Sequence, residues 1–142
     1  MKIISMRSYI RLFAALVFLS LPIFAGADEW RKIGYGTLED GAKFDVYVDT
    51  DSIIEIGDKV RFWQGHVFYK EQPLPSGGRY MRVSIERVVD CAGNSDSNVQ
   101  AIFYGRDGSV VYNYKDDIQL EPLGPDTIRQ SVRQFVCAYR KN

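Results

Sequence analysis

One histidine, His66, is all the imidazole in a chain of 142 residues. A histidine base needs a nucleophile or a carboxylate tied to it, and nothing in the sequence singles one out. A lone imidazole cannot complete a zinc set either, and the C-x-x-C pair that would help is missing. There is no H-E-x-x-H, no G-x-S-x-G, no phosphate loop and no dinucleotide fingerprint. Acids distant in sequence can converge into a glycosidase pair, but no pair is marked out. The reading is therefore non-enzymatic, with no cofactor and no catalytic or metal-binding residue. A hydrolase ranks behind two binding readings. Cationic excess is absent as well: 18 Lys and Arg balance 18 Asp and Glu, so no basic footprint for nucleic acid exists. Beyond the N-terminus no apolar run is long enough to span a bilayer. Repeats, low-complexity tracts and linkers are lacking too, which leaves one domain.

The N-terminus is different. Lys2, Arg7 and Arg11 precede the apolar run Leu12 to Ala25, and Ala25 and Ala27 form an A-x-A exit before Asp28. This tripartite pattern predicts a secretory signal peptide over residues 1–27 and a mature domain over 28–142. No cysteine lies near the cleavage point, so a lipoprotein is not expected. Removing three basic residues leaves 15 cations against 18 acids, a mature net charge of −3. The two cysteines, Cys91 and Cys137, read as a disulfide in an exported protein, since compartment and parity both favour it.

The mature chain is mostly of period two. "KFDVYVD" sets Phe44, Val46 and Val48 against Asp45, Tyr47 and Asp49. Val60 to Tyr69 is aromatic and β-branched, with Gly65 expected to mark a bulge. In "YMRVSIERVVDC", Met81, Val83, Ile85, Val89 and Cys91 share the core phase, opposite Tyr80, Arg82, Ser84, Glu86 and Asp90. Asp107-Gly108 predicts a hairpin turn, Gln72 to Arg79 a longer loop, and Trp30 to Thr37 a first strand. After Pro125 the period becomes helical. Asp126 or Thr127 caps, and Ile128, Val132, Phe135, Val136 and Tyr139 form one stripe, with Arg129, Gln130, Arg133 and Gln134 mostly facing away. Arg140 and Lys141 sit where a helix C-terminus favours cations. The fold class is α+β: an antiparallel sheet of about six strands with one C-terminal helix packed on a face and tethered by the disulfide. Cys137 lies nearly opposite the stripe at 100° per residue, so either the helix ends or loosens near Val136 or the disulfide wraps round the helix edge to the Cys91 strand; the first is preferred because helix ends fray.

The acids of "DVYVDTDSIIEIGDKV" invite a calcium reading. Counted from Asp49, the loop pattern fails at Ile53, Ile54 and Val60. Turn chemistry fits better, with Asp49, Asp51 and Ser52 ending one strand and starting the next, and Gly57 to Lys59 turning again. His66 reads as a strand histidine at the sheet surface. Tyr47, Tyr80, Tyr112 and Tyr114 fall on strands, where they either pave the sheet or meet a protein partner.

Trp30, "VYVDTDSIIEIGDKVRFW", "VVDC", "YGRDGSVV" and "LEPLGPDTIRQSVRQFVC", in that order, resemble the surface-adhesin E family of small exported proteins of Gram-negative bacteria. The resemblance implies a sheet with its C-terminal helix tied by a Cys91–Cys137 disulfide. It also implies an adhesin that binds a host matrix or cell-envelope protein and can form a homodimer, in the periplasm or at the cell surface. The rival reading is a periplasmic inhibitor of a lysozyme-like hydrolase or a protease, acting through the loop "EQPLPSGGR", Glu71 to Arg79. The ligand-binding residues are unknown at this level.

Overall fold

A computed structural model describes residues 29–124 and 127–139. The segment expected to be a signal peptide, with Asp126, Arg140 and Lys141, lies outside the described residues. Alternating apolar positions build six strands that pair antiparallel in chain order: β1 (Trp30–Thr37), β2 (Lys43–Ile56), β3 (Lys59–Pro73), β4 (Arg79–Asp90), β5 (Ser95–Tyr104) and β6 (Val110–Lys115). A two-residue strand, β7 (Glu121–Pro122), pairs with the start of β5. The helix α1 (Ile128–Tyr139) follows.

The connections are short because their residues suit tight turns. Gly57 and Gly108 adopt φ of +63° and +84°, conformations that side chains disfavour, at the β2–β3 and β5–β6 hairpins. The expected long loop after Gln72 is shorter than it reads. β3 runs on to Pro73, and Leu74 to Gly78 closes through Leu74 N–H to the Gly78 carbonyl (3.0 Å) and Gly77 N–H to the Leu74 carbonyl (3.0 Å).

Two expectations about β2 and β3 are corrected. Asp49 to Ser52 does not divide two strands. Asp49 does bond its own backbone two residues on, through the Asp51 N–H (3.1 Å), and the Ser52 hydroxyl donates to the Asp49 carbonyl (2.7 Å). Ser52 also accepts the Trp63 N–H (2.8 Å), so the local bonds stay tied to the neighbouring strand. The chain is irregular between Asp49 and Ile54 and continues in β2. Gly65 is not a bulge: it pairs with Tyr47 on one side and Ser84 on the other in regular register. Register shifts fall elsewhere, among them between Lys32 and Gly34, between Val67 and Gln72 and between Glu86 and Arg87.

The core gathers Phe44, Val46, Val48, Val60, Phe62, Phe68, Val83, Val89 and Ala101 with Val132 and Val136 of the helix. Gly36 sits under the Phe44 ring and Gly34 beside Ile128, where side chains would crowd the first strand. Thr127 caps α1, its hydroxyl accepting the Gln130 N–H (3.2 Å). The helix does not end near Val136; Arg129, Gln130 and Arg133 lie off the apolar stripe, as expected, but their polar ends reach back to the sheet and the turn before β5. Arg129, Arg133 and Cys137 recur at i, i+4 and i+8 along one flank of the helix. That flank meets the end of β4 and the start of β5. Arg129 reaches the buried Asp96, Arg133 donates to the Cys91 carbonyl, and Cys137 bonds Cys91 with Cα atoms 5.8 Å apart. Gln130 adds a bond to the Asn94 side chain (2.9 Å). The cysteine thus needs no break in the helix; it leaves from the edge.

Candidate functional site

Charged and polar side chains divide between the two faces of the sheet. On the core face the phase that carries Val83 and Val89 also carries Arg87, which is 3% exposed and pairs with Asp96, 1% exposed. Arg87 also donates to Gln64 (3.0 Å), whose amide meets His66 (2.6 Å). His66 stacks on Phe44 with ring centroids 4.6 Å apart. It is therefore no surface histidine: burial, with the charge of Arg87, pushes its pKa down to about 4. Burial and the neighbouring Arg129 lower Arg87 to about 10. The network is enclosed and neutral at His66, and of its buried side-chain atoms only Arg87 Nε lacks a partner, which makes it a structural device rather than a site open to a ligand.

The rings divide as well. Phe44, Phe68, Tyr80, Phe103, Tyr112 and Tyr114 form a continuous row with successive centroids 4.9–6.5 Å apart. Tyr80, read as facing the polar phase, packs against the core edge instead. Tyr112 and Tyr114 end the row on β6, all six residues of which are exposed.

Residues that alternate with the core positions stand on the opposite face. Tyr47, Gly65 and Ser84 lie side by side across β2, β3 and β4, and Val67, Arg82 and Tyr104 form the next row across β3, β4 and β5. Trp30 reaches over from β1. Its ring covers Gly65 so closely that a Cβ there would stand 3.1 Å from it. The missing side chain at position 65 makes a dip, and the larger residues around it make walls. Together these seven residues enclose an open cleft of about 320 Å³. The Arg82 guanidinium lies over the Tyr104 ring, 4.4 Å from its centroid.

The flanks of the cleft are electrostatically closed. On one side Asp45 binds Lys32 (3.1 Å) and the Tyr69 hydroxyl (2.9 Å), and the Lys32 hydrogen bond holds its carboxyl below the usual range. On the other side burial works against the charge of Glu86. Hydrogen bonds from Gln100 and Arg61 outweigh that burial and keep the carboxyl low. Among the described residues no group of three or more His, Cys, Asp or Glu side chains could hold a metal ion.

Of these seven residues the sequence singled out only Tyr47 as a contact candidate. Trp30 and Tyr104 lie in the pieces that carry the family resemblance but are not marked there as contacts; Val67, Arg82 and Ser84 carry no motif, and the sequence marks Gly65 only as a bulge. The available signal was phase: each stands on the non-core phase of its strand, and Gly65 is the one position there without a side chain.

A family model described as surface-adhesin protein E matches residues 30–138. No curated protein sequence matches the chain. Two crystal forms of Haemophilus influenzae protein E share the fold at 21% identity. One covers 68% of this chain and 80% of that one with a TM-score of 0.52. Crystal form II covers 77% and 91% with a TM-score of 0.57.

Proposed function

The chain belongs to the surface-adhesin protein E family, and from that premise we propose an exported, non-enzymatic domain that binds a protein partner through the open face of its sheet. The observation that carries this is the cleft of Trp30, Tyr47, Gly65, Arg82 and Tyr104. Tyr, Trp and Arg are the residues enriched where protein interfaces concentrate their energy, and such anchors seat in pockets. In this reading residues 1–27 are a signal peptide and 28–142 a single domain. The helix covers the core face, and the protein stands in the periplasm or at the cell surface. Its partner is a host matrix or envelope protein. Among the described residues no helix is long and apolar enough to cross a membrane. A homodimer belongs to the proposal too, with a second copy pairing at the exposed outer edge of β6. The compact Leu74–Gly78 turn leaves the inhibitor reading little to insert into an enzyme.

The test uses protein exported to and purified from the periplasm, with immobilised matrix proteins and solubilised envelope proteins as probes. Saturable binding is expected, weakened about tenfold or more by the paired changes Trp30→Ala and Tyr47→Ala, since anchor truncations cost upwards of about 2 kcal/mol. Full binding by a folded double variant would remove the cleft from the function.

A further inference from the structure

We propose that the cleft recognises an acidic peptide segment: one apolar or aromatic side chain seated against the Trp30 ring that covers Gly65, between Tyr47 and Val67, with a neighbouring carboxylate held by Arg82. This rests on the reading of the cleft as the docking site and adds the chemistry of its occupant.

Charge is the first argument. Lys32 and Arg61 flank the cleft, and each is already matched to a carboxylate, Asp45 and Glu86. Arg82 lines the cleft itself, and the ion pairs among the described residues do not include it. Its guanidinium carbon stands 4.4 Å from the Tyr104 ring centroid, and no hydrogen bond or ion pair among the described residues engages its N–H groups, which can fork a carboxylate. A cation already fixed by stacking loses less freedom on binding than a mobile one.

The lining supplies the second argument. The walls and floor are the rings of Trp30, Tyr47 and Tyr104, the methyls of Val67 and the bare backbone of Gly65. Ser84 and Arg82, with the tyrosine hydroxyls, are the polar groups. A sugar would bring a hydroxyl on nearly every carbon, each costly to leave unbonded, and these few partners cannot satisfy them. A hydrocarbon or aromatic side chain asks for no such partners, and a cavity of about 320 Å³ has room for a side chain rather than a folded surface.

The experiment titrates the ¹⁵N-labelled, periplasmically exported protein with capped pentapeptides, Gly-Gly-Phe-Asp-Gly and its neutral counterpart Gly-Gly-Phe-Asn-Gly. Glucuronic acid serves as the acidic-sugar probe. The acidic peptide is expected to shift the Gly65 and Ser84 amides saturably, and to bind about three- to fivefold tighter than the neutral one. That is the range for an exposed ion pair. The preference should disappear in Arg82→Gln, persist in part in Arg82→Lys, and shrink as salt rises. Equal affinity for the two peptides, or a preference untouched by Arg82→Gln, would overturn the proposal. Shifts with glucuronic acid and none with either peptide would overturn it in favour of a glycan. The docking reading is judged separately, by the loss of whole-protein binding in the Trp30 and Tyr47 double variant.

Discussion

His66 shows how little a residue's identity says before its neighbours are known. As the only imidazole it invites a chemical role, yet it stacks on Phe44, bonds Gln64 and faces the charge of Arg87. Its pKa near 4 makes it neutral in the fold, whereas the unfolded chain takes up a proton near pH 6.5. Above pH 6.5 both states are neutral and stability is flat. As pH falls from 6.5 towards 4 the unfolded chain alone gains the proton, so stability is lost across that window. The loss attributable to His66 is about 2–3 kcal/mol, allowing for its partial exposure. Denaturant unfolding at pH 7 and pH 4 should show a smaller pH dependence in His66→Gln by about that amount. An identical slope in the variant would take His66 out of the account. Gly65 makes the converse point: a residue with no side chain creates the cleft by letting Trp30 lie over it.

At the scale of elements, β2 and α1 both outlast the signals that seemed to end them. Asp49 and Ser52 make the local bonds expected of a turn, but the neighbouring strand takes up Ser52, and pairing resumes at Ile54. In α1 the stripe of Ile128, Val132 and Val136 fixes which side enters the core. The flank of Arg129, Arg133 and Cys137 fixes how the helix is held. Helical period was visible in the sequence. The partner of that flank was not, because Asp96, on β5, and Cys91, just past the end of β4, lie more than 30 residues away. The disulfide closes a 46-residue separation, and losing it frees the unfolded chain, so Cys137→Ser should lower unfolding free energy by about 2–5 kcal/mol. Thermal melts under oxidising conditions check this; a midpoint equal to that of the parent would mean that the bond adds nothing.

For the whole molecule the two outer strands differ in a way that bears on assembly. β1 carries Arg31 and Lys32 and an irregularity between Lys32 and Gly34, features that blunt an edge. β6 presents Val110, Val111, Tyr112 and Tyr114, between 37% and 55% exposed, with Lys115 its one charge. An unblunted apolar edge is a template for another strand. A homodimer paired there should be dispersed by Val111→Lys, with the mass measured by light scattering falling from two chains to one. A parent protein that is monomeric at tens of micromolar would end the homodimer proposal, and the cleft on the open face would stand unaffected.

The sequence alone determined the period of each element, the tight glycine turn after β5, the antiparallel sheet before a single helix, and the family resemblance carried by ordered short motifs. These are local properties, set by alternation, turn conformations and capping within a few residues. Tertiary structure decided what no short window contains. It buried Arg87 and set His66 against Phe44, brought Cys137 to Cys91 along the flank of an unbroken helix, and gathered Trp30, Tyr47, Gly65, Arg82 and Tyr104 from five strands around one dip. Strand pairing aligns residues by register rather than by sequence distance, so the cleft exists only once all five strands are paired.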